Sequence, residues 1–186
     1  MRCTKRGVMS VSFINKLFKS KSNDDFCTAV VLAAGNSQRM GKDKILMPLG
    51  GAPVIAHTLK ALQSAECIDE IVVVTKYERL QELADICHDH GISKASKVVV
   101  GGKTRLESSL IGVSNADERA KYIAIHDGAR PFVTNSLIER VVHSAHQHGA
   151  SAPAVSATDT VRILNVKGAV VETPSRDLVA LMQTPQ

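Results

Sequence analysis

The stretch that decides the fold reads Ala29-Val30-Val31-Leu32-Ala33-Ala34-Gly35-Asn36-Ser37-Gln38-Arg39-Met40-Gly41 and runs on into Lys42-Asp43-Lys44. Small and β-branched apolar residues that give way to Ala-Ala-Gly predict a buried strand leading into a tight loop. Residues without bulk let backbone N–H groups approach an anion closely, and Gly35 can adopt the positive φ that forms a nest of donors. The pattern therefore predicts a phosphate-binding loop.

Two basic residues accompany this loop. Arg39 offers a five-donor fork and Lys44 a point charge, which suit a triphosphate whose α-phosphorus is attacked. The glycine spacing fits neither G-x-x-x-x-G-K-[ST] nor G-x-G-x-x-G. For Ala-Ala-Gly alone, a strand followed by an ordinary surface loop is the alternative. The longer pattern L-A-A-G-x-S-x-R-M-G-x-x-K resembles the signature of nucleotidyltransferases that activate a phosphorylated sugar or polyol.

Composition narrows the class of protein. The chain has 186 residues, 44% of them apolar and 22% charged, which is about one domain of ordinary globular composition. Aromatic residues make up only 3% and Trp is absent, so the net charge of +5 favours polyanionic small substrates over nucleic acid. The four cysteines form no C-x-x-C pair, which indicates neither a disulfide framework nor a zinc site. We therefore expect a cytoplasmic protein.

Residues 1–25 differ from the rest, since they are rich in Lys and Arg and end in the polar Ser22-Asn23-Asp24-Asp25. They predict a basic, disordered leader. The alternatives are a start codon upstream of the true start at Met9 and a short amphipathic helix that touches a membrane or a partner. Without a continuous apolar segment, we expect no stable membrane association.

The remainder alternates short apolar runs with helical patterns. Further strands are predicted at 71–74, 98–100, 122–125 and 152–155. Helices are predicted at 53–65, 77–90 and 104–116, and a Ser136–Glu139 capping box predicts the start of a helix that ends at Gly149. Apolar strands separated by helices indicate an α/β fold, a Rossmann-like, mostly parallel sheet with helices on both faces. Ligands bind such sheets beyond the carboxyl ends of the strands.

A second loop follows the predicted strand at 98–100. Gly101 and Gly102 leave backbone groups open to the edge of a nucleotide base, and Ser108 lies where it can reach the same edge. Ordinary loop chemistry is the alternative, because Gly-Gly often precedes a helix.

A third loop reads His126-Asp127-Gly128-Ala129-Arg130-Pro131. An acid directly after a buried strand and an Arg stiffened by the following Pro place opposite charges at the sheet edge. Asp127 suits a ribose hydroxyl or a Mg²⁺–phosphate unit, and Arg130 suits a phosphomonoester. An internal Asp–Arg pair that closes the turn is the alternative.

The motifs A-A-G-x-S-x-R-M, G-G-x-x-R-x-x-S and H-D-G-A-R-P, in this order, resemble those of the 2-C-methyl-D-erythritol 4-phosphate cytidylyltransferase family over residues 26–186. The resemblance implies transfer of CMP from CTP to methylerythritol 4-phosphate, with Mg²⁺ or another divalent cation, in non-mevalonate isoprenoid biosynthesis. It places Arg105 near the cytosine and implies three groups of site residues. The catalytic group is Arg39, Lys44 and Arg176; the CTP group is Ala33, Ala34, Gly35, Asn36, Ser37, Gly102, Ser108, Asp127 and Gly128; the polyol-phosphate group is Arg130, Thr160, Arg176 and Thr184. It gives Asp127 a share in metal binding, mostly through the CTP phosphates.

The resemblance also assigns residues 157–177 to an arm that embraces a second subunit, between a core at 26–156 and a return to the core at 178–186. Val161, Ile163 and Val166, then Val170 and Val171, surround Lys167-Gly168 and predict a hairpin with little core of its own to cover. We therefore expect a homodimer formed through the arm.

Three departures from the family pattern bear on activity. Lys103 stands where well-known members carry an acid, and Gln38 where some carry a second Arg. The family continues beyond the position of Gln186, so we expect C-terminal elements to be missing from this chain. The alternatives are ribitol-5-phosphate cytidylyltransferase, which resembles the chain over the same loops, and a catalytically incomplete CTP-binding fragment.

Overall fold

A computed structural model describes residues 25–35 and 43–186. The basic leader, except its last residue, and the predicted site residues Asn36, Ser37 and Arg39 lie outside the described residues. The strands are β1 Cys27–Leu32, β2 Pro48–Leu49, β3 Ala52–Pro53, β4 Glu70–Thr75, β5 Ala95–Val100, β6 Tyr122–Asp127, β7 Ala154–Ser156, β8 Ile163–Leu164, β9 Val170–Glu172 and β10 Ala180–Met182. The α-helices are α1 Val54–Ser64, α2 Leu80–Asp89, α3 Arg105–Ser114 and α4 Asn135–His148.

A four-stranded parallel sheet in the order β5-β4-β1-β6 forms the centre of the described chain. β1 lies between two neighbours, and its residues 27–31 are buried. The apolar, β-branched composition of β1 and β4 suits a strand that is covered on both faces. The predicted α/β fold and its parallel sheet are confirmed, and the strands deliver their carboxyl ends to one edge.

Helices cover both faces of this sheet. α1, α2 and α4 pack together on one face, where Ile55, Leu59 and Ile138 are fully buried with Val31. α3 crosses the other face so closely that a Cβ on Gly112 would lie 2.2 Å from Val30 Cγ1. A side chain at this position would force the helix away from the sheet.

The predicted strand at 152–155 does not join the parallel sheet. β7 pairs antiparallel with β10 in a separate two-stranded sheet, and its three residues are exposed. The helix α4 joins β6 to β7 and would permit parallel pairing, but the chain after β7 runs through the hairpin without an α-helix and returns as β10. β7 pairs with this returning strand, and antiparallel pairing needs no helical crossover.

The helix predicted to begin with a Ser136–Glu139 capping box begins differently. Thr134 is the N-cap, and its hydroxyl accepts a hydrogen bond from Leu137 N–H at 3.3 Å. The prediction was wrong because Thr134 and Ser136 both have capping side chains, and the extended backbone falls at Thr134. The predicted end is confirmed, since Gly149 adopts a left-handed φ of 82°.

The arm contains the predicted hairpin. β8 pairs antiparallel with β9, and Gly168 in the turn has a φ of 82°. Its apolar side chains are exposed, Val166 completely and Ile163 to 45%. Two strands of this length leave these side chains without a core. In the part of the chain that the structure describes, no helix has the length and apolar character needed to cross a bilayer.

Candidate active site

The three predicted loops leave neighbouring strands at the same edge of the sheet. Backbone hydrogen bonds hold each loop to the end of an adjacent strand: Ala33 N–H donates to Val74 O at 2.7 Å, Gly101 N–H to Thr75 O at 2.7 Å and Gly128 N–H to Leu32 O at 2.9 Å. The backbone that starts each loop is therefore an extension of the sheet and is fixed by it. This edge is where an open α/β sheet binds its ligands.

The first loop begins with Ala33, which is buried, and passes to Gly35, which is exposed. Gly35 does not adopt the positive φ expected for a nest, since it is not among the described residues with a left-handed φ. Among the described residues, a Cβ on Gly35 would meet nothing within 4 Å. Lys44 begins a 3₁₀ helix, Lys44–Leu46, just beyond the undescribed residues 36–42.

The second loop lies against the first. A Cβ on Gly101 would be 2.9 Å from Ala34 Cβ and 2.8 Å from Ser108 Oγ, so the two loops are in direct contact. Ser108 is buried at the start of α3, and its hydroxyl accepts a hydrogen bond from Gly102 N–H at 3.2 Å. The structure thus brings together Gly102 and Ser108, the residues predicted to contact the cytosine. Their role in binding stays a prediction.

A second capping interaction shapes the same loop. Thr104 Oγ1 accepts from Glu107 N–H at 3.1 Å, and Glu107 Oε2 accepts from Lys103 N–H at 2.6 Å. These two bonds satisfy free N–H groups at the start of α3. Lys103, the residue that departs from the family pattern, is held through its backbone, so its side chain contributes no part of this cap.

The third loop carries a charged cluster centred on Asp127. Arg130 Nε lies 2.9 Å from Asp127 Oδ2, and Arg105 Nη2 lies 3.2 Å from Asp127 Oδ1. The internal Asp127–Arg130 pair that the sequence left open is present. Arg105, which the resemblance placed near the cytosine, reaches across from α3 and holds the second carboxylate oxygen. One carboxylate therefore links the second loop to the third.

Arg130 has a further partner that the sequence did not indicate. Its Nη1 donates a hydrogen bond to Gln183 Oε1, from a residue 53 positions away in the chain. Only the fold could bring these two residues together, because their sequence positions carry no common pattern. The Arg130 side chain remains 43% exposed, so the guanidinium is held and still open to solvent.

Buried polar groups support the third loop from behind. His126 is fully buried, and Nε2 lies 3.4 Å from Arg130 O; burial lowers the pKa of this imidazole. Thr58 Oγ1 donates to Gly128 O at 2.9 Å, and buried Thr184 Oγ1 lies 3.4 Å from Asp127 N. The loop is thus held by α1 on one side and by the returning chain on the other.

Two residues of the predicted site, Thr160 and Arg176, belong to the arm. Arg176 Nη1 donates to Thr158 O at 3.2 Å, and Thr160 is exposed. Within the described ranges, neither residue hydrogen-bonds to a loop of the sheet edge. One chain therefore brings together the predicted CTP residues that are described, with Arg130 and Thr184, but does not join Thr160 and Arg176 to them.

Asp127 does not present a ready metal site. Both of its carboxylate oxygens already accept from guanidinium groups, and two adjacent positive charges disfavour a divalent cation. No group of three or more His, Cys, Asp or Glu side chains arranged to hold a metal ion occurs within residues 25–35 and 43–186. A metal coordinated by Asp127 would have to share a carboxylate oxygen with one of the two arginines, and the metal role of Asp127 stays a prediction.

Comparisons with known proteins identify one family. The family described as IspD, 2-C-methyl-D-erythritol 4-phosphate cytidylyltransferase, matches residues 27–186. A 2-C-methyl-D-erythritol 4-phosphate cytidylyltransferase from Clostridium botulinum is 37% identical over 161 residues, covering 86% of this chain and 70% of the relative. One from Alkaliphilus oremlandii is 36% identical over 162 residues, covering 86% of this chain and 69% of the relative.

A solved structure shows the same likeness. The crystal structure of 4-diphosphocytidyl-2C-methyl-D-erythritol synthase from Anaerococcus prevotii matches with a TM-score of 0.75 and 29% identity, over 88% of this chain and 69% of that one.

Proposed function

The chain belongs to the 2-C-methyl-D-erythritol 4-phosphate cytidylyltransferase family, and from this premise we propose that it transfers CMP from CTP to 2-C-methyl-D-erythritol 4-phosphate in isoprenoid biosynthesis. The observation that carries the proposal is the meeting of three family motifs at one sheet edge, with Ala34 against Gly101 and Arg105 on Asp127. The described parts of three motifs that are far apart in the sequence therefore lie next to one another.

The reaction is a substitution at phosphorus. An oxygen of the acceptor phosphate forms a bond to the α-phosphorus of CTP, and the bond from that phosphorus to the bridging oxygen breaks, releasing pyrophosphate. A phosphate monoester dianion is already a nucleophile, so alignment and charge neutralisation are what the protein must supply. Lys44 and Arg39 neutralise charge on the triphosphate, and no covalent intermediate with the chain is required.

We assign the cytosine to the second loop, and the ribose and the acceptor phosphate to the third loop. Gly102 and Ser108 take the cytosine, because a backbone group and a hydroxyl lie together there. Gly128 and Asp127 take the ribose. Arg130 takes the acceptor phosphate, since its guanidinium is held on one side and exposed on the other.

A divalent cation, Mg²⁺ in the simplest case, supplies further charge neutralisation when bound to the CTP phosphates. We place it on the nucleotide instead of directly on Asp127, because both oxygens of that carboxylate are engaged by arginines. Asp127 then acts on the metal only through bound nucleotide.

We also propose that two chains form a cytoplasmic homodimer through the arm. Pairing of two hairpins about a two-fold axis would cover the exposed side chains of Ile163, Val166 and Val171. It would also carry Thr160 and Arg176, which form no hydrogen bond with the described part of their own sheet edge, toward the pocket of the partner.

Pyrophosphate release tests the proposed activity. The 186-residue chain is given CTP and Mg²⁺ with either methylerythritol 4-phosphate or ribitol 5-phosphate, and CTP binding is measured in parallel by calorimetry. Release with methylerythritol 4-phosphate supports the proposal. Release with ribitol 5-phosphate alone would replace the acceptor, and CTP binding without release from either would leave a nucleotide-binding fragment.

A further inference from the structure

We propose that Gln183 is a positioning residue that fixes the guanidinium of Arg130 for the phosphate of the acceptor, an inference that rests on the proposed function. The observation is the hydrogen bond from Arg130 Nη1 to Gln183 Oε1. Gln183 lies next to Thr184, a predicted contact of the acceptor, but it belongs to none of the three motifs. Its contribution is to hold another side chain.

The guanidinium of Arg130 is gripped at two points. Nε donates to Asp127 Oδ2 at 2.9 Å, and Nη1 donates to Gln183 Oε1. A planar guanidinium whose Nε and Nη1 both donate hydrogen bonds cannot rotate about the Cδ–Nε bond without breaking one of them. Three of its five N–H groups have no hydrogen-bond acceptor among the described residues. That number suffices for a bidentate contact with a phosphate.

Gln183 is itself held in one orientation. Its side-chain Nε2 donates to Leu181 O at 3.1 Å, which leaves Oε1 as the atom that faces Arg130. Its backbone N–H donates to Pro153 O at 2.8 Å. A flipped amide would lose the bond to Leu181 and would set two donors against each other. The acceptor that meets Arg130 is therefore oriented before any substrate arrives.

The chain around Gln183 is anchored to the central sheet. Gln186 exchanges two backbone hydrogen bonds with Ile125, at 2.7 and 2.9 Å, and its side chain donates to Gln183 O at 3.1 Å. Ile125 lies in β6, the strand that ends at Asp127. Both partners of Arg130 are thus anchored to β6: Asp127 is its last residue, and Gln183 is held to it through Gln186.

A neutral acceptor suits this task better than a second acid. Asp127 already has two arginines, so the cluster of Arg105, Asp127 and Arg130 carries one net positive charge that is available to a phosphate. An amide oxygen orients the guanidinium and leaves that charge in place. A carboxylate at position 183 would orient it equally well and cancel the charge.

The test compares steady-state kinetics of the 186-residue chain with those of Gln183→Met and Gln183→Glu. Methionine has a similar length and no comparable acceptor, so the KM for methylerythritol 4-phosphate should rise about 10-fold while the KM for CTP stays within about twofold. Gln183→Glu restores the acceptor but adds negative charge, so this KM should rise further still. Gln147→Met is the matched control, because Gln147 is an exposed residue of α4 whose side chain contacts His143. It should leave both constants unchanged.

A spectroscopic signal separates positioning from direct contact. The Nε–H resonance of Arg130, assigned by its loss in Arg130→Lys, should shift or broaden in Gln183→Met without any substrate. A raised KM with an unchanged Arg130 resonance would mean that Gln183 touches the substrate itself and would overturn the inference. An unchanged KM for the acceptor in Gln183→Met would also overturn it while the proposed function stands. If the unmodified chain neither binds acceptor nor releases pyrophosphate, the proposed function and the inference both fall.

Discussion

The edge of the parallel sheet and the arm differ in how their side chains are held. At the sheet edge, backbone hydrogen bonds tie each loop to a buried strand, and the charged side chains Arg105, Asp127 and Arg130 hold one another. In the arm, the hairpin β8–β9 exposes its apolar side chains, and Val166 is completely exposed. The described part of the edge is therefore organised within one chain, whereas the arm leaves its apolar side chains uncovered, as the proposed pairing with a second chain requires.

The largest expected effect lies at the sheet edge. Replacing Lys44 or Arg39 by Ala should lower kcat by about 100-fold and weaken CTP binding less, because the charge they meet grows in the transition state. Lys60→Ala, on the exposed side of α1, is the control and should keep its kcat. The measurement is pyrophosphate release at saturating CTP, with CTP affinity from calorimetry. A loss confined to CTP affinity, with kcat intact, would remove the transition-state role of these two residues.

A matched pair of glycine substitutions compares the two regions in stability. Gly112→Val should lower the free energy of unfolding by about 3 kcal/mol, because the new side chain must displace α3 from Val30. Gly168→Val should lower it by only about 1 kcal/mol, the cost of a left-handed φ for a residue with a side chain. Urea unfolding measures both values. An equal or larger loss for the arm variant would show that the hairpin is part of the cooperative core.

The smallest effect is a pH dependence confined to the sheet edge. Burial lowers the pKa of His126 below its ordinary value of 6.5, so the unfolded chain binds a proton at a pH where the folded chain does not. His126 should therefore lower the free energy of unfolding as the pH falls below about 6.5, and should leave it unchanged above that pH. The comparison is urea unfolding at pH 7.5 and 5.5 for the unmodified chain and for His126→Asn, which should lose less stability between the two. Equal losses in both proteins would mean that His126 does not contribute to this dependence.

Sequence patterns predicted the strands and the loops because their information is local. A buried parallel strand needs a continuous apolar run, and parallel strands must place their carboxyl ends together, so the meeting of Gly102 with Ser108 at the same edge as Asp127 could be expected. The start of α4 could not be decided, since Thr134 and Ser136 are both capping residues and the choice depends on the incoming backbone.

Contacts between side chains that are far apart in the chain could not be predicted from the sequence. Arg105 lies on Asp127 because α3 crosses the sheet at that point, and Gln183 meets Arg130 because the chain returns from the arm to pair with β7 and Ile125. No spacing in the sequence encodes these directions. The partner of β7 was missed for the same reason, since a short apolar run does not state whether its neighbour is parallel or antiparallel.

The most direct test of whether the arm of one chain completes the site at the sheet edge of another is pyrophosphate release by a mixture of two inactive variants. Lys44→Ala disables the sheet edge, and Arg176→Ala disables the arm. After subunit exchange in a 1:1 mixture, half of the dimers are mixed and each mixed dimer has one site free of both changes, so activity should return to about one quarter of the unmodified value. Either variant alone stays near background. Exchange proven by mass spectrometry, with no activity recovered, would contradict the account and show that Arg176 does not complete the partner's site.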